Sequence, residues 1–256
     1  MKTILVPVDF SKASINAFKY AVEFASKDAI QIFVIHIKET EEDDEKEIQS
    51  KIDELQETVC KRPLEISTII KAGDLNEEMI KIQKREKIDL IIMGTKGARV
   101  RTKNMNSKTS EFVHIADCPV LVIPENVEDF KLDTILLTLG KEKIVDTNAL
   151  YTLLDVARHF GAEVHILTVS KDDDFYAKTH ESNENTLKYF LEIFYSHHSF
   201  FESDDIVEGI IQYLGKHDID MLAILPNTHA KNGSASEGKL TKLLSLHTTK
   251  PLLVLD

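Results

Sequence analysis

The chain has 256 residues, more than one typical domain of about 100–200 residues, so the sequence predicts two domains or one large one. Hydrophobic residues make up 43% and charged residues 29%, which supports packed cores and excludes a disordered chain. A net charge of -12 disfavours nucleic acid as the main partner, and no apolar run reaches the roughly 18 residues that a membrane span needs. With only two cysteines, the composition favours a reducing cytoplasm.

In the first half, short runs rich in Val and Ile alternate with longer stretches of helical period. The predicted strands are residues 4–8, 30–37, 64–71, 90–93 and 120–123. The predicted helices are residues 11–26, 41–58, 76–85 and 107–116, and the first begins at a serine that can cap it. Buried strands alternating with helices predict a parallel sheet covered on both faces. Ligands of such folds bind beyond the carboxyl ends of the strands.

The second half repeats the first at an offset of 131 or 132 residues. Residues 3–5 (Thr-Ile-Leu) return as residues 134–136, residues 88–90 (Ile-Asp-Leu) as residues 219–221 (Ile-Asp-Met), and the apolar run 119–123 as 251–255. Three matches in the same order indicate a duplicated unit. We therefore predict two similar domains, residues 1–128 and residues 129–256, with the joint in the polar passage 124–130.

Three strands of the first half end at or beside residues that are candidates for a functional role. Asp9 follows the first strand, where it either caps the next helix or faces a ligand. His36 lies in the second strand and is expected to be a packed or partly exposed histidine of that strand rather than a ligand or a base. The fourth strand leads into Gly94 and Gly97, two of only three glycines in this half.

The stretch from Gly94 to Ser110 holds five Lys or Arg residues and no acid. Glycines there let backbone N–H groups approach an anion, and the helix predicted to start at Ser107 would direct its N-terminal amides at the same space. This pattern predicts a phosphate site, with a ligand-free basic loop as the alternative. No dinucleotide or P-loop motif follows the first strand.

The first half resembles the universal stress proteins across essentially its whole length. The resemblance rests on ILVPVDFS, VIHI, AGDLNEEMIKIQKREKIDLIIMGTKG and ADCPVLVIPE. It implies two tandem α/β Rossmann-like domains of the adenine nucleotide alpha hydrolase-like type, each a five-stranded parallel sheet of order 3-2-1-4-5 flanked by helices. It also implies, for one branch of the family, an ATP site around Gly-x2-Gly-x9-Gly-Ser/Thr.

Carried onto this chain, the resemblance implies a nucleotide site made of eight residues. Asp9 and the Ile37 backbone would hold adenine and ribose, Gly94, Gly97 and Ser107 would approach ribose and phosphates, and Met93, Asn106 and Thr109 complete the set. The chain departs from the motif because only eight residues separate Gly97 from Asn106, which stands in place of the third glycine. The expected cofactor is ATP, ADP or AMP, with or without Mg²⁺.

The second half keeps the pattern of strands but lacks the nucleotide-binding motif of the first half. Gly140 stands where Asp9 stands in the first half, and residues 225–228 (Leu-Pro-Asn-Thr) replace residues 94–97 (Gly-Thr-Lys-Gly). We expect a degenerate domain that forms an intramolecular pseudo-dimer with the first, as tandem members of the family do, with a homodimer of chains left open. Eight of the ten histidines lie here, but adjacent His197 and His198 would point to opposite faces of a strand, so no metal site is expected.

The leading hypothesis is a stress-response protein that binds an adenine nucleotide in its first domain and acts through nucleotide-dependent contacts with an unidentified protein. No nucleophile with a base at recognisable spacing is present, so at most slow ATP hydrolysis is expected. The alternative is a ligand-free tandem scaffold in which both sites have decayed. A nucleotidyl-transferase or ATP-dependent ligase ranks third, because no glycine-rich phosphate loop follows the first strand.

Overall fold

The computed structural model describes residues 1–26, 28–38, 40, 42–96, 107–140, 144, 147–170, 179–225 and 237–256, with the main chain only for 179–182 and 237–239. The chain divides into two compact units, Met1–Phe130 and Lys131–Asp256. None of the described helices is long and apolar enough to cross a membrane.

Over its described residues, the first unit is a five-stranded parallel sheet with four helices. Its elements are β1 (Thr3–Pro7), α1 (Lys12–Phe24), β2 (Gln31–Lys38), α2 (Glu45–Val59), β3 (Ile66–Ala72), α3 (Leu75–Glu86), β4 (Leu90–Thr95), α4 (Lys108–Phe112) and β5 (Val120–Pro124). The strand order is β3-β2-β1-β4-β5, as the family resemblance implies, and every pairing is parallel. The α/β Rossmann-like fold is therefore confirmed.

The second unit repeats this architecture. Its elements are β6 (Thr134–Leu139), α5 (Ala149–Phe160), β7 (Glu163–Ser170), α6 (Thr179–Leu191), a 3-10 turn (Glu192–Phe194), β8 (Tyr195–Glu202), α7 (Ile206–Lys216), β9 (Met221–Ile224), α8 (Glu237–His247) and β10 (Leu252–Val254). The strand order within it is β8-β7-β6-β9-β10, again with parallel pairing, which matches the first unit strand for strand.

The core of each unit lies along its central strands. Residues 4–6 of β1 and 90–92 of β4 are fully buried, as are residues 135–137 of β6 in the second unit. Continuous apolar runs are required at these places because a central parallel strand is covered on both faces. In the first unit α1 packs on β1, β4 and β5 through buried aromatic and small residues such as Phe18, Ala21 and Phe24.

One repeated aspartate has the same structural role in both units. Asp89, just before β4, accepts the backbone N–H groups of Lys2 and Thr3 at 2.5 and 3.1 Å. Asp220, just before β9, accepts those of Asp133 and Thr134 at 2.8 and 3.0 Å. Each carboxylate thus ties the start of the first strand of its unit to the start of the fourth, which explains why the sequence repeat retains it.

Three of the predicted helices are shorter than the sequence suggests, and α1 is one of them, since it spans Lys12–Phe24 rather than residues 11–26. Helix α2 begins at Glu45 rather than at residue 41, because Asp44 caps it and the Thr40 hydroxyl and amide both bond to the Asp43 carboxylate in a preceding turn. Helix α4 ends at Phe112 rather than at residue 116. The chain tightens there, with Ile115 N–H donating to the carbonyl three residues back at 2.9 Å.

Candidate functional site

A crevice of about 600 Å³ opens at the carboxyl ends of β1, β2 and β4 in the first unit. In the sheet, β2 lies on one side of β1 and β4 lies on the other, so the strand order reverses at β1. Six of the eight predicted site residues line this crevice: Asp9, Ile37, Met93, Gly94, Ser107 and Thr109. The other two, Gly97 and Asn106, lie outside the described residues.

Asp9 is held by the first turn of α1. Its Oδ1 accepts the Ser11 N–H at 2.9 Å, and its own N–H donates to Ser14 Oγ at 3.2 Å. Partial burial raises the pKa of Asp9, but hydrogen bonds from Ser11 and Ser14 and the nearby Lys96 outweigh it and hold the pKa below its usual value. The carboxylate is therefore charged at neutral pH. It both supports the turn and faces the crevice, so the two interpretations of Asp9 are compatible.

Gly94 has a packing role that the sequence did not reveal. A Cβ at this position would lie 2.3 Å from both the carbonyl carbon and the carbonyl oxygen of Ala13, and 2.7 Å from Ser14 N. The glycine therefore lets the start of α1 press against β4. Its conformation does not require glycine, so close approach of α1, rather than of a ligand, is sufficient to explain this residue.

Ser107 and Thr109 also make internal hydrogen bonds. Ser107 caps α4 in a reciprocal arrangement with Ser110, in which each side chain accepts the other residue's N–H at 3.0 and 2.9 Å. The Thr109 hydroxyl donates to the Gly94 carbonyl at 2.9 Å. These bonds fix the start of α4 beside the end of β4. Because α4 has only five residues, its dipole contributes little to holding an anion.

Positive charge borders the crevice at both flanks of β1. Lys96 and Lys108 are exposed on the β4 side. Lys38 lies at the end of β2, with its side chain only 8% exposed and its amine 3.2 Å from Glu45. The remaining cations of the predicted basic loop, Arg99, Arg101 and Lys103, lie outside the described residues.

Sequence reasoning missed two residues that line this crevice and one that lies next to Asp9 in the chain. Lys38 and Gly73 both line it, and Gly73 has a φ of +119° that L side chains rarely adopt. Phe10, next to Asp9, has a φ of 61°, a strained conformation for a bulky residue that costs about 1–3 kcal/mol. The AGD sequence hinted at the turn of Gly73. No local signal distinguishes Phe10, because its conformation depends on neighbours from another strand.

The second unit differs at the equivalent positions. Gly140, which takes the position of Asp9 in the sequence repeat, directly follows β6 and is exposed. β6 ends at Leu139 and α5 begins at Ala149, a wider separation in sequence than that between the end of β1 at Pro7 and the start of α1 at Lys12. Of the replaced loop, Leu225 follows β9 and residues 226–228 lie outside the described residues.

The two adjacent histidines of β8 contact different neighbours. The ring of His197 lies 4.2 Å from that of His165, whereas His198 bonds to the Thr168 hydroxyl at 3.0 Å and stacks on Phe200. Within the described ranges, no three His, Cys, Asp or Glu side chains converge as metal ligands would.

Comparison with known proteins identifies relatives of the first half and a fold match for the whole chain. Residues 1–124 match the model of the Universal stress protein family. Universal stress protein MJ0577 of Methanocaldococcus jannaschii is 26% identical over 152 residues, covering 48% of this chain and 94% of that protein. Universal stress protein A homolog 1 of Coxiella burnetii is 27% identical over 139 residues, covering 48% and 95%.

The crystal structure of a universal stress protein from Archaeoglobus fulgidus superposes with a TM-score of 0.75 at 20% identity. The match covers 98% of this chain and 97% of that one. The similarity of fold therefore extends to both units.

Proposed function

Because residues 1–124 place this chain in the universal stress protein family, we propose that its first domain, residues 1–128, binds an adenine nucleotide in the crevice. ATP, ADP and AMP are the candidate ligands, with Mg²⁺ accompanying the longer phosphate chains. The protein then acts in stress response by presenting a nucleotide-dependent surface to a partner protein in the cytoplasm. The second domain, residues 129–256, binds no nucleotide and serves as a structural partner.

The observation that carries this proposal is the charged, positioned carboxylate of Asp9 at a strand end inside a crevice. Its volume of about 600 Å³ falls within the roughly 300–1,000 Å³ of small-molecule sites. Asp9 provides an acceptor for a ribose hydroxyl or an amine, while Lys96 and Lys108 border the β4 side, where phosphates would lie. One crevice thus holds partners for both kinds of group that a nucleotide offers, a hydroxyl or amine donor and the phosphates.

In this proposal the predicted residues take different parts. Asp9 and the Ile37 backbone contact the adenosine end, and Met93 of β4 lines the crevice. Gly94 and Thr109 act mainly by setting the geometry of the wall, in view of their internal contacts. Phosphate contacts fall to Ser107 and to Gly97 and Asn106, as the family motif implies.

A ligand-free scaffold is the second candidate function, and specific contacts favour it. Gly94 is explained by packing against α1, while Ser107 and Thr109 are engaged in capping and strand-end hydrogen bonds. Their retention therefore does not by itself require a ligand. Substitution of Asp9 discriminates between the two functions, because it should weaken nucleotide binding in the first case, whereas a scaffold has no nucleotide affinity to lose.

Calorimetric titration of the purified chain with ATP, ADP and AMP, with and without Mg²⁺, tests the proposal. We expect about one nucleotide per chain. Asp9→Ala should weaken binding by roughly 10- to 150-fold, because a hydrogen bond to a charged group contributes about 1.5–3 kcal/mol. Asp205→Ala is the matched control: Asp205 also bonds to a backbone N–H at a helix start, that of Glu208 at 3.0 Å, but in the second unit.

Absence of binding, together with no nucleotide released on heat denaturation of the purified protein, would favour the scaffold. Two nucleotides per chain would contradict the assignment of the second domain as degenerate. Equal loss of affinity from Asp9→Ala and Asp205→Ala would indicate that the loss comes from instability rather than from a lost contact.

A further inference from the structure

The turn that carries Asp9 is held in an unfavourable conformation. Val8 N–H donates to the Ile35 carbonyl at 2.8 Å, so sheet bonding to β2 continues one residue past β1. The chain must then reach Ser11, the capping residue of α1, within three residues. It does so with Phe10 at a φ of 61°, the left-handed region that favours glycine. Such a conformation persists only where its surroundings enforce it.

His36 of β2 contacts this turn on both sides of Asp9. Its Nδ1 lies 2.7 Å from the carbonyl oxygen of Val8, and because a carbonyl only accepts, Nδ1 carries the proton and donates. The imidazole ring also packs on the ring of Phe10, with centroids 5.1 Å apart and planes inclined at 38°. One side chain therefore fixes the residue before Asp9 and the residue after it.

The direction of the Asp9 carboxylate follows from this turn. The Asp9 Oδ1 accepts the Ser11 N–H, and the Asp9 N–H donates to Ser14 Oγ. Both hydrogen bonds depend on the backbone conformation of Phe10, which lies between Asp9 and these serines. If Phe10 relaxed to negative φ, the Ser11 N–H would move away from Asp9.

From these contacts we propose that His36 is a positioning residue, which holds the Val8–Ser11 turn so that Asp9 faces the ligand in the crevice. The inference rests on the proposed nucleotide site and adds to it a residue that does not itself line the crevice. It also distinguishes His36 from an ordinary packed histidine of a strand, whose loss would lower stability and leave binding unchanged.

Three substitutions in β2 separate the two roles. His36→Leu removes the donor, whereas His36→Asn keeps an N–H group near the Val8 carbonyl. Val34→Ala is the control, because Val34 lies two residues earlier on the same strand face, is 1% exposed and pairs in register with Val6 of β1, before the turn begins. We expect His36→Leu to weaken AMP binding about tenfold, equivalent to 1.4 kcal/mol. His36→Asn should recover most of the affinity, and Val34→Ala should change it less than about twofold despite a lower melting temperature.

A double substitution tests the route through Phe10. Glycine accepts a φ of 61° without strain, so Phe10→Gly should keep the turn without help from His36. In that background, His36→Leu should cost less affinity than in the wild type. An equal loss in both backgrounds would show that the ring contact with Phe10 plays no part.

Nuclear magnetic resonance gives a readout that needs no nucleotide. In the free protein, the Ser11 amide should change its chemical shift and lose protection from hydrogen exchange in His36→Leu, and keep both in Val34→Ala and His36→Asn. If the wild type binds no nucleotide, the proposed function fails while this measurement still shows whether His36 sets the turn. An unchanged Ser11 amide, or a changed amide with wild-type AMP affinity, would overturn the positioning role.

Discussion

Replacing Gly94 with alanine should destabilise the first unit, and by more than the same substitution at Gly73, the other described glycine of that unit. The new Cβ would lie 2.3 Å from backbone atoms of Ala13, whereas carbon atoms in contact normally stay about 3.5–4.0 Å apart. Because backbone rather than a flexible side-chain end is in the way, α1 must move from β4 by more than 1 Å or so, which disturbs the packing of buried Phe18 and Phe24.

An extra group in a well-filled core lowers the free energy of unfolding by about 1–3 kcal/mol. Because the new Cβ would clash with two backbone atoms of Ala13, we expect a loss at the upper end of this range. A loss of about 3 kcal/mol lowers the melting temperature of a unit in this size range by about 10 °C. Nucleotide affinity should fall as well, because Ser11 and Ser14 at the start of α1 hold Asp9. Calorimetric melting and urea unfolding measure the first effect, and titration with AMP measures the second.

Gly140→Ala provides the matched control. Gly140 follows the equivalent strand of the second unit, and a Cβ there meets no atom within 4 Å. Its melting temperature should stay within about 1 °C of the wild type, consistent with a surface substitution. If Gly94→Ala melted equally close to the wild type, the reasoning that close packing with α1 requires this glycine would be wrong.

Two further predictions concern the second unit. Gly215→Ala in α7, where a Cβ meets nothing within 4 Å, should stabilise the unit by about 0.5–1 kcal/mol through helix propensity, and a lower midpoint of urea unfolding would contradict this. The pKa of His165 is lowered from its usual 6.5, first by burial and then by neighbouring His197, against the opposing effect of Glu163. Its neutral form is therefore favoured by folding, so its contribution to stability is complete above pH 6.5 and is lost as the pH falls through the lower pKa of the folded protein. The free energy of unfolding, measured with urea, should therefore fall between about pH 8 and pH 5.5. His165→Gln should make this dependence on pH weaker. If the dependence on pH were the same in the variant, His165 would not be its cause.

The sequence alone was sufficient for the architecture and for the location of the crevice. Strands buried on both faces need unbroken apolar runs, and helices need a period of 3.6 residues, so both are visible in consecutive residues. The position of Asp9 at a strand end follows from the same pattern. The duplicated Asp89 and Asp220 also stand out as a repeat, although only the structure explains them, since each bonds to a strand start more than 80 residues away.

What the individual site residues do was decided by tertiary structure. Gly94 looked like an anion-binding glycine, yet its neighbours are backbone atoms of α1, which lie some 80 residues earlier in the chain. His36 looked like packing, yet its register beside β1 brings its ring to Val8 and Phe10. Local periodicity states which residues are buried but not which atoms meet across neighbouring strands. That information depends on strand register and on how closely a helix approaches the sheet, and both are set only when the chain packs.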